Sequence, residues 1–506
     1  MNQKQEKTTA ITPKRDQDFP EWYQQVIKAA DLAEHSPVRG CMTIKPWGWA
    51  IWEEIRNWLD GRIKATGHEN AYFPLFVPLS LLEKEADHVA GFAKECAVIT
   101  HHRLESQEGR LVPVGKLEET LIVRPTSEAL IGEAFSRWIN SWRDLPVKLN
   151  QWANIVRWEM RTRLFVRTME FLWQEGHTAH ATEQEAWDES KMMLGEYQKL
   201  MEEVLAIPVI AGKKSPGERF PGADETLVLE CMTQDRKAIQ ACTSHYLGQN
   251  FSRAFQITFN TADGATEYAY TTSWGVTTRL VGAMVMVHGD DNGLCVPPKV
   301  AQYHVVIIPV LTQTERNEDV LRACGKLKDQ LEKEHFDGGA IRVYIDEKDT
   351  RAGEKGWAWI KKGAPIRVEI GPRDVDSDSC VVAVRDTLAK ETMQSNDFVN
   401  QVGTMLGSYH DRLFQRAKAF HKEHIRTDIT TLDEMKAFFT PKNEEKPEIH
   451  GGFVLAKWCE DRETEDLLKE LKVTIRCLPF DQSGTEGTCI ITGRKATCDA
   501  IFAKAY

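Results

Sequence analysis

Apolar positions along the chain repeat with different periods, and these periods predict its elements. From Lys45 to Thr66 they return every three or four residues, as on one face of an α-helix, and Gly67 ends that helix. The run Ala71–Pro78 that follows is short, apolar and contains two prolines. Because proline cannot donate to a strand ladder, we predict that this run lies at a sheet edge or an interface.

Short strand-like runs dominate between residues 121 and 278. They are Leu121–Arg124, Ile155–Met160, Glu170–His177, Thr226–Met232, Ala254–Phe259 and Glu267–Ser273. Two helices interrupt them, one after Thr126 and one that opens at Thr182, where Glu185 completes a capping-box pattern. Many strands with few helices between them predict a mostly antiparallel sheet with helices packed on it, an α+β fold.

The pattern changes after Pro297-Pro298. From about residue 300 to 405 strands and helices alternate, which predicts a compact α/β domain. The last segment carries four of the 11 cysteines and is predicted to form a small α+β domain. The predicted division is therefore residues 1–298, 299–408 and 409–506.

The composition, 42% hydrophobic and 27% charged, is that of an ordinary globular protein. No apolar run approaches the ~20 residues that a membrane span needs, so no membrane partner is expected. The N-terminus has no apolar core of a secretory signal and the cysteines are sparse, which predicts a reducing, cytoplasmic location. The net charge of −11 argues against a nucleic-acid coat protein, and no DNA partner is expected, although a locally basic site is compatible with it.

Three separated groups of residues carry candidate chemistry. The first is Arg124-Pro125-Thr126-Ser127-Glu128, a strand that runs into the start of a helix, where simple helix capping is the alternative. The second is Arg157-Trp158-Glu159, followed by a basic loop and a returning strand. On a strand, an arginine and a glutamate two positions apart share a face, and arginine suits a carboxylate or phosphate. A surface hairpin with an Arg–Glu pair is the alternative.

The third group runs from Ser273 to Arg279 and opens an apolar helix. Glycine and hydroxyl side chains leave room for a ligand near the backbone. A guanidinium at the start of an apolar helix needs a partner, for which a triphosphate and a buried carboxylate are both candidates.

The chain resembles the class II aminoacyl-tRNA synthetases in their three signature motifs. Motif 1 would be the first long helix and the strand around Pro74, motif 2 the second group with its returning strand, and motif 3 the segment from Gly275 to Arg279 with its helix. Longer strings resemble the prolyl-tRNA synthetase family from about residue 20 to 506. They are Tyr72 to Pro78, Arg124 to Glu128, Phe171 to His177, Thr243 to Phe251 and Gly371 to Asp374. The stretch between His177 and Gly275 is too short for the large editing domain of one bacterial type, so the archaeal/eukaryotic type without editing is expected.

The resemblance implies a ligase that joins proline to tRNA in two steps, through prolyl-adenylate, with ATP and Mg²⁺. It also implies a class II antiparallel catalytic sheet, an α/β anticodon-binding domain, and a homodimer formed through motif 1. Arg157 and Arg279 are the implied catalytic residues. Those implied for proline are Thr126, Glu128, Arg157, Trp173, Glu175, His177, His245, Ser273 and Gly275. Those implied for ATP are Arg157, Glu159, Arg167, Thr168, Gln240, Thr243, Thr277 and Arg279.

For some of these residues a purely structural role is the alternative to a functional one. Trp173 could be a core aromatic residue, and His177 and His245 could be hydrogen-bonded structural histidines. Ile341–Arg373 carries eight Lys/Arg against five Asp/Glu, which suits an RNA-anchoring surface or a merely solvated face. By resemblance, Arg367, Arg373 and Asp374 there would read the guanines of proline anticodons.

The cysteine-bearing tail departs from the family's zinc-binding version. Cys459 and Cys489 fit two of the four cysteine positions, but Thr464 and Thr492 stand at the other two. Threonine is not a usual zinc ligand, so no structural zinc is predicted. The terminal Tyr506 resembles the family's tyrosine terminus near the active site, and a packed aromatic end is the alternative.

Two other functions compete with this reading. One is a class II synthetase of the same subgroup for threonine, histidine or glycine. The other is a non-catalytic tRNA-binding relative, which would be free to lose Arg157 or Arg279, yet both are present.

Overall fold

The structure, a computed structural model, describes residues 10–84, 95–312, 315–443 and 448–506. Its first part contains α1 (Phe19–Ala29), β1 (Ala33–His35), β2 (Met42–Ile44), α2 (Pro46–Ala65), β3 (Glu69–Asn70), β4 (Phe76–Pro78), α3 (Leu79–Leu82), β5 (Ala97–Gln107) and β6 (Arg110–Val123). β5 and β6 form a long hairpin, and β4 pairs with the other edge of β6, so β4 is an edge strand as predicted. Within those ranges, none of the helices combines the length and apolar character that a membrane span requires.

The predicted antiparallel sheet forms the centre of the catalytic region. The elements there are α4 (Glu128–Trp138), β7 (Val147–Val156), β8 (Glu170–His180), α5 (Glu183–Lys199), β9 (Ile210–Lys213), β10 (Glu225–Met232), β11 (Ala238–Gly248), α6 (Asn250–Phe255), β12 (Thr258–Asn260), β13 (Thr266–Tyr268), β14 (Tyr270–Thr277) and α7 (Arg279–His288). The strands run in the order β9-β10-β11-β14-β8-β7, and every neighbouring pair is antiparallel. The α+β prediction is confirmed.

Helices α2 and α7 share one apolar core with this sheet. Ile55 and Leu59 of α2, Met284 of α7 and Trp274 of β14 are all buried in it. Each such side chain contributes roughly 1.5–3 kcal/mol to folding by leaving water. The capping box predicted at the start of α5 is confirmed, since Thr182 Oγ1 accepts a hydrogen bond from the Glu185 backbone. This core fixes the sheet on which the candidate site is built.

The predicted α/β domain follows a short 3₁₀ turn at Pro298–Val300. Its elements are β15 (Val305–Pro309), α8 (Asn317–Leu331), β16 (His335–Phe336), β17 (Gly339–Ala340), β18 (Val343–Ile345), α9 (Ala352–Lys362), β19 (Ile366–Ile370), α10 (Pro372–Asp376), β20 (Ser379–Val384), β21 (Lys390–Gln394) and α11 (Ser395–His424). They form a five-stranded sheet of order β18-β15-β19-β20-β21, in which the first three strands are parallel. The alternation of strands and helices is confirmed.

The C-terminal region adds strands to the catalytic sheet. Its elements are β22 (Ile425–Arg426), α12 (Leu432–Phe439), β23 (Phe453–Trp458), α13 (Arg462–Asp466), β24 (Thr474–Pro479), β25 (Gly487–Thr488), β26 (Lys495–Ala496) and β27 (Cys498–Ala503). Because β24 pairs with β9, one sheet of 11 strands runs from β22 to β3. The three-domain division stays a prediction, and its second boundary, after residue 408, lies inside α11.

Two predicted strands are wrong in part. Ala254–Phe259 begins in the last turn of α6, because Phe251 and Phe255 are both buried at helical spacing, and only Thr258–Asn260 is a strand. Glu267–Ser273 is divided between β13 and β14, which are separated by Ala269.

Candidate active site

Three neighbouring strands align predicted residues in rows across the sheet. His177 on β8 lies opposite Ser273 on β14, and Ser273 lies opposite His245 on β11. A second row, two positions along each strand, consists of Glu175, Gly275 and Thr243. Because residues two apart on a strand share a face, the register brings both rows to the same side of the sheet.

These rows contribute to a cleft of about 370 Å³, within the usual size of a small-molecule site. Every residue that the resemblance implies for proline or ATP lines this cleft. They are Thr126, Glu128, Arg157, Glu159, Arg167, Thr168, Trp173, Glu175, His177, Gln240, Thr243, His245, Ser273, Gly275, Thr277 and Arg279. The structure therefore brings together residues from three distant parts of the chain, while their individual roles stay predictions.

Sequence reasoning did not assign the other residues of the lining. They are Glu95, Phe165, Val166, Phe171, Lys214, Glu218, Arg219, Phe220, Thr226, Ala241, Cys242, Trp274 and Val276. The ring of Phe220 stacks on His245 with centroids 4.4 Å apart, yet it lies in an irregular segment that has no periodicity to reveal it. Thr226 lies directly opposite His245. A correct pairing register between β10 and β11 would therefore have placed Thr226 beside the cleft.

Glu175 is a buried carboxylate held by three side chains. Its Oε1 accepts hydrogen bonds from Ser127 Oγ at 2.6 Å and from Gln151 Nε2 at 2.7 Å. Its Oε2 lies 3.0 Å from His177 Nε2. Such a carboxylate is fixed in position and contributes its negative charge to this end of the cleft.

Glu128 is a second buried carboxylate in the cleft, in the first turn of α4. Thr126 Oγ1 donates a hydrogen bond to Glu128 Oε2, which fixes the orientation of the carboxylate. Ser127 at the N-cap makes no side-chain capping bond, and Thr126 and Glu128 both line the cleft, while their roles stay predictions.

The two cleft histidines have pKa values shifted in opposite directions. Burial lowers the pKa of His177, but its hydrogen bond to Glu175 and the charges of Glu175 and Glu128 outweigh burial and raise it above the ordinary value. Burial lowers the pKa of His245 to about 4, and the positive charge of Arg157 adds to this effect. His245 is therefore neutral at pH 7.

Trp173, Ser273 and Gly275 form one part of the cleft wall, in which two side-chain polar groups make no hydrogen bond within the described residues. Trp173 Nε1 and Ser273 Oγ are buried and have no hydrogen-bond partner among the described ranges of the chain. A Cβ at Gly275 would lie 3.0 Å from the backbone oxygen of Gln174 and 3.8 Å from the Trp173 ring, so a side chain there would crowd this part of the wall. The core-aromatic reading of Trp173 does not explain its place in the cleft.

The predicted strand Ile155–Met160 is wrong at its end, because β7 stops at Val156. Beyond that residue the backbone turns tightly, and the Glu159 N–H donates to the Arg157 carbonyl at 2.7 Å. The argument that Arg157 and Glu159 share a strand face therefore fails. What brings both into the cleft is the turn after the strand.

Arg157 is held in the cleft by backbone and aromatic contacts. Its Nε donates to the Pro125 carbonyl at 3.0 Å, and its guanidinium carbon lies 5.8 Å and 5.9 Å from the ring centroids of Phe171 and Trp173. Burial lowers the pKa of Arg157, opposed by nearby glutamates including Glu128. Arginine nevertheless keeps its charge at neutral pH, because its unperturbed pKa exceeds 12.

Arg279 opens the buried helix α7, as predicted. Its backbone N–H donates to Thr277 Oγ1 at 3.0 Å. Its guanidinium donates to the Val166 carbonyl at 3.2 Å and the Gln240 carbonyl at 3.3 Å. The predicted ATP residues Thr277 and Gln240 therefore position Arg279 directly.

Three guanidinium groups, of Arg157, Arg167 and Arg279, share this cleft. Burial and then the charges of the other two lower the pKa of Arg279 to about 10. Arg167 Nη1 donates to Glu159 Oε2 at 3.3 Å, so one of the three charges is partly balanced. A polyanion would relieve the remaining repulsion, which makes this end of the cleft suited to a triphosphate.

The hydroxyls of Thr168 and Thr243 complete this end of the cleft. Thr168 Oγ1 donates to the backbone oxygen of Glu170 at 2.7 Å, which ties the returning strand to the basic loop.

The predicted anticodon residues differ in accessibility. Arg373 is exposed, but Arg367 on β19 is only 4% exposed, so its guanidinium does not face solvent. Asp374 Oδ2 accepts a hydrogen bond from the Gly371 N–H at 2.8 Å and caps α10. Burial lowers the pKa of Arg367 to about 10, an effect that the Arg385 charge increases. Ile366, Arg367 and Val368 are buried in succession, so β19 is covered on both faces at this point.

The C-terminal Tyr506 reaches the catalytic region. Its backbone pairs with Ala238 at the start of β11, and its hydroxyl donates to Asp235 Oδ2 at 2.6 Å. Its ring lies 4.8 Å from the guanidinium carbon of Arg163, in the loop after Arg157. The terminus is thus packed against the loop that shapes the cleft.

The residues at the zinc-like tail do not fit a zinc ion. Cys459 Sγ lies 3.7 Å from Thr492 Oγ1, and Arg494 Nη2 donates to the same sulfur at 3.4 Å. A guanidinium therefore stands beside the sulfur that a metal would bind. Thr464 Oγ1 is occupied by a hydrogen bond from Trp458 Nε1 at 2.7 Å. Across the ranges that the structure describes, no three His, Cys, Asp or Glu side chains are clustered for a metal, and the expected absence of zinc stays a prediction.

Comparisons with known proteins find tRNA synthetase domains and proline–tRNA ligases. Residues 114–288 match the tRNA synthetase class II core domain (G, H, P, S and T), residues 304–405 the anticodon binding domain, and residues 443–506 the prolyl-tRNA synthetase C-terminal domain. The proline–tRNA ligase of Protochlamydia amoebophila is 61% identical over 500 residues, 98% of this chain and 99% of that protein. That of Bdellovibrio bacteriovorus is 53% identical over 501 residues, with the same coverage.

A solved structure is also similar. The crystal structure of prolyl-tRNA synthetase from Cryptosporidium parvum, complexed with halofuginone and AMPPNP, has a TM-score of 0.88 and 37% identity. The match covers 98% of this chain and 97% of that one.

Proposed function

The chain belongs to the prolyl-tRNA synthetase family, and from that premise we propose how its own residues activate L-proline with ATP and pass the prolyl group to the 3′ end of tRNA(Pro). It is a proline–tRNA ligase. The observation that carries the residue assignments is the single cleft that gathers every residue implied for proline and for ATP.

The first step joins the proline carboxylate to the α-phosphate of ATP and releases pyrophosphate. The carboxylate is ionised at neutral pH and is already a nucleophile, so no side chain has to remove a proton. Catalysis then depends on placing the two reactants in line and on stabilising charge at the α-phosphate. We assign both tasks to Arg157, whose planar guanidinium can hold two oxygen ligands at once.

We place the proline ring between Trp173 and the neutral His245, with Gly275 leaving space beside it. The negative charges of Glu128 and Glu175 would hold the secondary ammonium, and Thr126, His177 and Ser273 complete the lining. A pocket of this kind cannot strongly reject a smaller amino acid, so some activation of alanine is expected.

ATP occupies the other end of the cleft in this proposal. Arg279 would clamp the γ-phosphate, with Glu159, Arg167, Thr168, Gln240, Thr243 and Thr277 around the adenine and phosphates. Mg²⁺ binds phosphate oxygens and water and needs only one or two carboxylates, and the cleft lining includes Glu159. When bound, Mg²⁺ would spread the charge of the triphosphate.

The second step uses tRNA, the third substrate, which we propose is held by the anticodon-binding region. The exposed Arg373 can bond a guanine edge, and Asp374 can accept from a base amino group. Arg367 is buried, so a direct contact of its guanidinium with a base would require β19 or its cover to move. We therefore propose that Arg367 supports this surface and that Arg373 contacts the base.

We also propose the archaeal/eukaryotic type, without an editing domain in this chain. The stretch between His177 and Gly275 contains α5, β9 to β13 and α6. These elements belong to the class II catalytic domain and leave no room for an inserted editing domain. A cytoplasmic location is proposed because all 11 cysteines are free thiols, as in a reducing compartment.

A test of the whole proposal is pyrophosphate exchange by the purified chain with each amino acid in turn. We expect strong exchange with proline, weak exchange with alanine, and transfer to tRNA(Pro) in a second assay. Stronger exchange with threonine, histidine or glycine would identify another class II synthetase. No exchange with any amino acid would identify a non-catalytic tRNA-binding relative.

A homodimer is proposed through the motif-1 surface, which we define as Tyr72 and Phe76 beside the motif-1 strand together with Trp138 and Trp142 from the end of α4 and the turn after it. These side chains are 76%, 46%, 47% and 42% exposed. The ring of Phe73 lies 6.0 Å from that of Trp138, which joins the two halves of the surface. Several large exposed apolar side chains in one region indicate an interaction site.

Light scattering should give the wild-type protein about twice the 57.6 kDa mass of one chain. The double variant Tyr72→Glu/Trp138→Glu should shift toward the single-chain mass, because two charges would be buried without partners. Trp357→Glu is the matched control, since Trp357 is 45% exposed on α9, away from this surface. An unchanged mass in the double variant would place the interface elsewhere.

A further inference from the structure

A buried cluster of charges lies beside the cleft, and the mechanism above does not use it. Lys214 Nζ lies 2.9 Å from Glu230 Oε1. Arg476 Nη2 lies 2.9 Å from the same oxygen, and its Nε lies 3.2 Å from Glu230 Oε2. The three side chains are 2%, 0% and 8% exposed. Buried charges of this kind interact strongly, because little water screens them.

The C-terminal region supplies one member of this cluster. Arg476 lies on β24, which pairs with β9 so that Leu478 lies opposite Lys213 and Pro479 opposite Gly212. Gly212 permits this close approach, since a Cβ there would collide with the Leu478 carbonyl. Lys214 Nζ also donates to the Arg476 carbonyl at 2.9 Å. Lys214 is therefore held by the side chain of Glu230 on β10 and by the backbone of Arg476 on β24.

The cluster carries a net positive charge toward the cleft. Burial raises the pKa of Glu230, but Lys214 and Arg476 outweigh it and hold the pKa below its usual range, so the carboxylate is ionised. Burial lowers the pKa of Lys214, and the charge of Glu230 opposes this, so with Lys214 protonated the three side chains carry one positive charge. Glu218, a carboxylate of the cleft lining outside the cluster, also acts on the pKa values of Lys214 and Arg476. Lys214 lines the cleft together with Arg279. Glu230 and Arg476 also act on the pKa of Arg279 with opposite signs, so the cluster and the γ-phosphate end of the cleft are electrostatically coupled.

We propose that Arg476 is a positioning residue for ATP, which compensates Glu230 so that Lys214 and Arg279 present their charge to the triphosphate. The inference rests on the proposed function and deepens it. Without Arg476, the Glu230 charge is balanced by Lys214 alone, and the cluster becomes neutral. The C-terminal region would then contribute to ATP binding through a buried charge, without touching the nucleotide.

The test is a series of variants ordered by the net charge of the cluster. Wild type and the double variant Arg476→Met/Glu230→Gln both carry +1, Arg476→Met carries 0, and Glu230→Gln carries +2. We expect the KM for ATP in pyrophosphate exchange to rise about tenfold in Arg476→Met, to return to near wild type in the double variant, and to fall in Glu230→Gln. The KM for proline should change little across the series.

Two further variants separate charge from structure. Arg476→Lys keeps the charge and should keep the KM for ATP near wild type. Lys457→Met is the matched control, because Lys457 makes an ion pair with Asp499 at 2.8 Å within the C-terminal region and should leave the KM for ATP unchanged. If Arg476→Met does not fold, the order of Glu230→Gln, wild type and the double variant still tests the proposal.

The outcomes are distinct. An unchanged KM for ATP in Arg476→Met overturns the inference, provided that the wild type shows proline-dependent exchange. A double variant no better than Arg476→Met also overturns it, because the role would then be structural. A wild type without proline-dependent exchange would instead contradict the proposed function.

Discussion

Replacing Arg157 with leucine should reduce proline-dependent pyrophosphate exchange by about 10³-fold or more, a loss of roughly 4 kcal/mol of transition-state stabilisation. Arg157 is the group that we assign to both the proline carboxylate and the α-phosphate. Leucine can pack against Phe171 and Trp173 but cannot bond either oxygen, so both the alignment and the charge stabilisation are lost. The effect should appear mainly in kcat.

The measurement is exchange at saturating proline and ATP, with circular dichroism to confirm folding. Arg157→Lys keeps the positive charge but loses the planar guanidinium that can bond two oxygens at once. Its exchange rate should therefore lie between those of wild type and Arg157→Leu. Arg137→Leu is the matched control, because Arg137 is on the exposed face of α4 and pairs with Glu133. Exchange at the original rate in folded Arg157→Leu would contradict the assignment of this residue.

Much of the site could be predicted because its residues lie on regular strands and in recognisable strings. His177, Ser273 and His245 lie on three different strands, yet each occupies the position that the antiparallel register brings opposite the next. The sequence pattern predicts the strands of His177 and Ser273. The strand of His245, Ala238–Gly248, is not among the predicted runs, and only the resemblance assigns His245 to the site. Neither the sequence pattern nor the resemblance predicts the contact of Phe220 with His245, because Phe220 lies in an irregular segment whose path depends on tertiary structure.

The strand end at Met160 and the burial of Arg367 show what residue type leaves open. The strand was predicted from residue types that suit a strand, and Arg367 was assigned to anticodon reading by resemblance. Residue type does not reveal where a strand turns, as after Val156, or that β19 is covered on both faces around Arg367. In both cases tertiary contacts decide the matter, as they commonly do for strand sequences.

The C-terminal region shows a further limit of local patterns. Its strands were predicted to form a separate small domain, but β24 pairs with β9 across more than 250 positions of sequence. Nothing in either short segment encodes its partner. Arg476 was therefore absent from every sequence-based prediction, although it lies within a buried ion cluster beside the cleft.

The second large effect is expected from Glu128→Gln, which should raise the KM for proline by about 100-fold, as the loss of one partner of a buried ion pair costs roughly 2–5 kcal/mol. Glutamine keeps the shape of Glu128 and still accepts the Thr126 hydrogen bond, so only the charge is removed. Glu175 cannot replace that charge fully, because Ser127, Gln151 and His177 already surround its carboxylate.

The KM for ATP should change less than a few-fold in Glu128→Gln, since the carboxylate is proposed to face the ammonium rather than the phosphates. Glu133→Gln is the matched control, five residues further along α4, where the glutamate is partly exposed and pairs with Arg137 at 2.8 Å. If the KM values for proline and ATP rise together, Glu128 positions the whole cleft rather than the amino group. If neither changes, Glu175 alone supplies the negative charge, because the ammonium of a bound proline still requires a partner in a buried site.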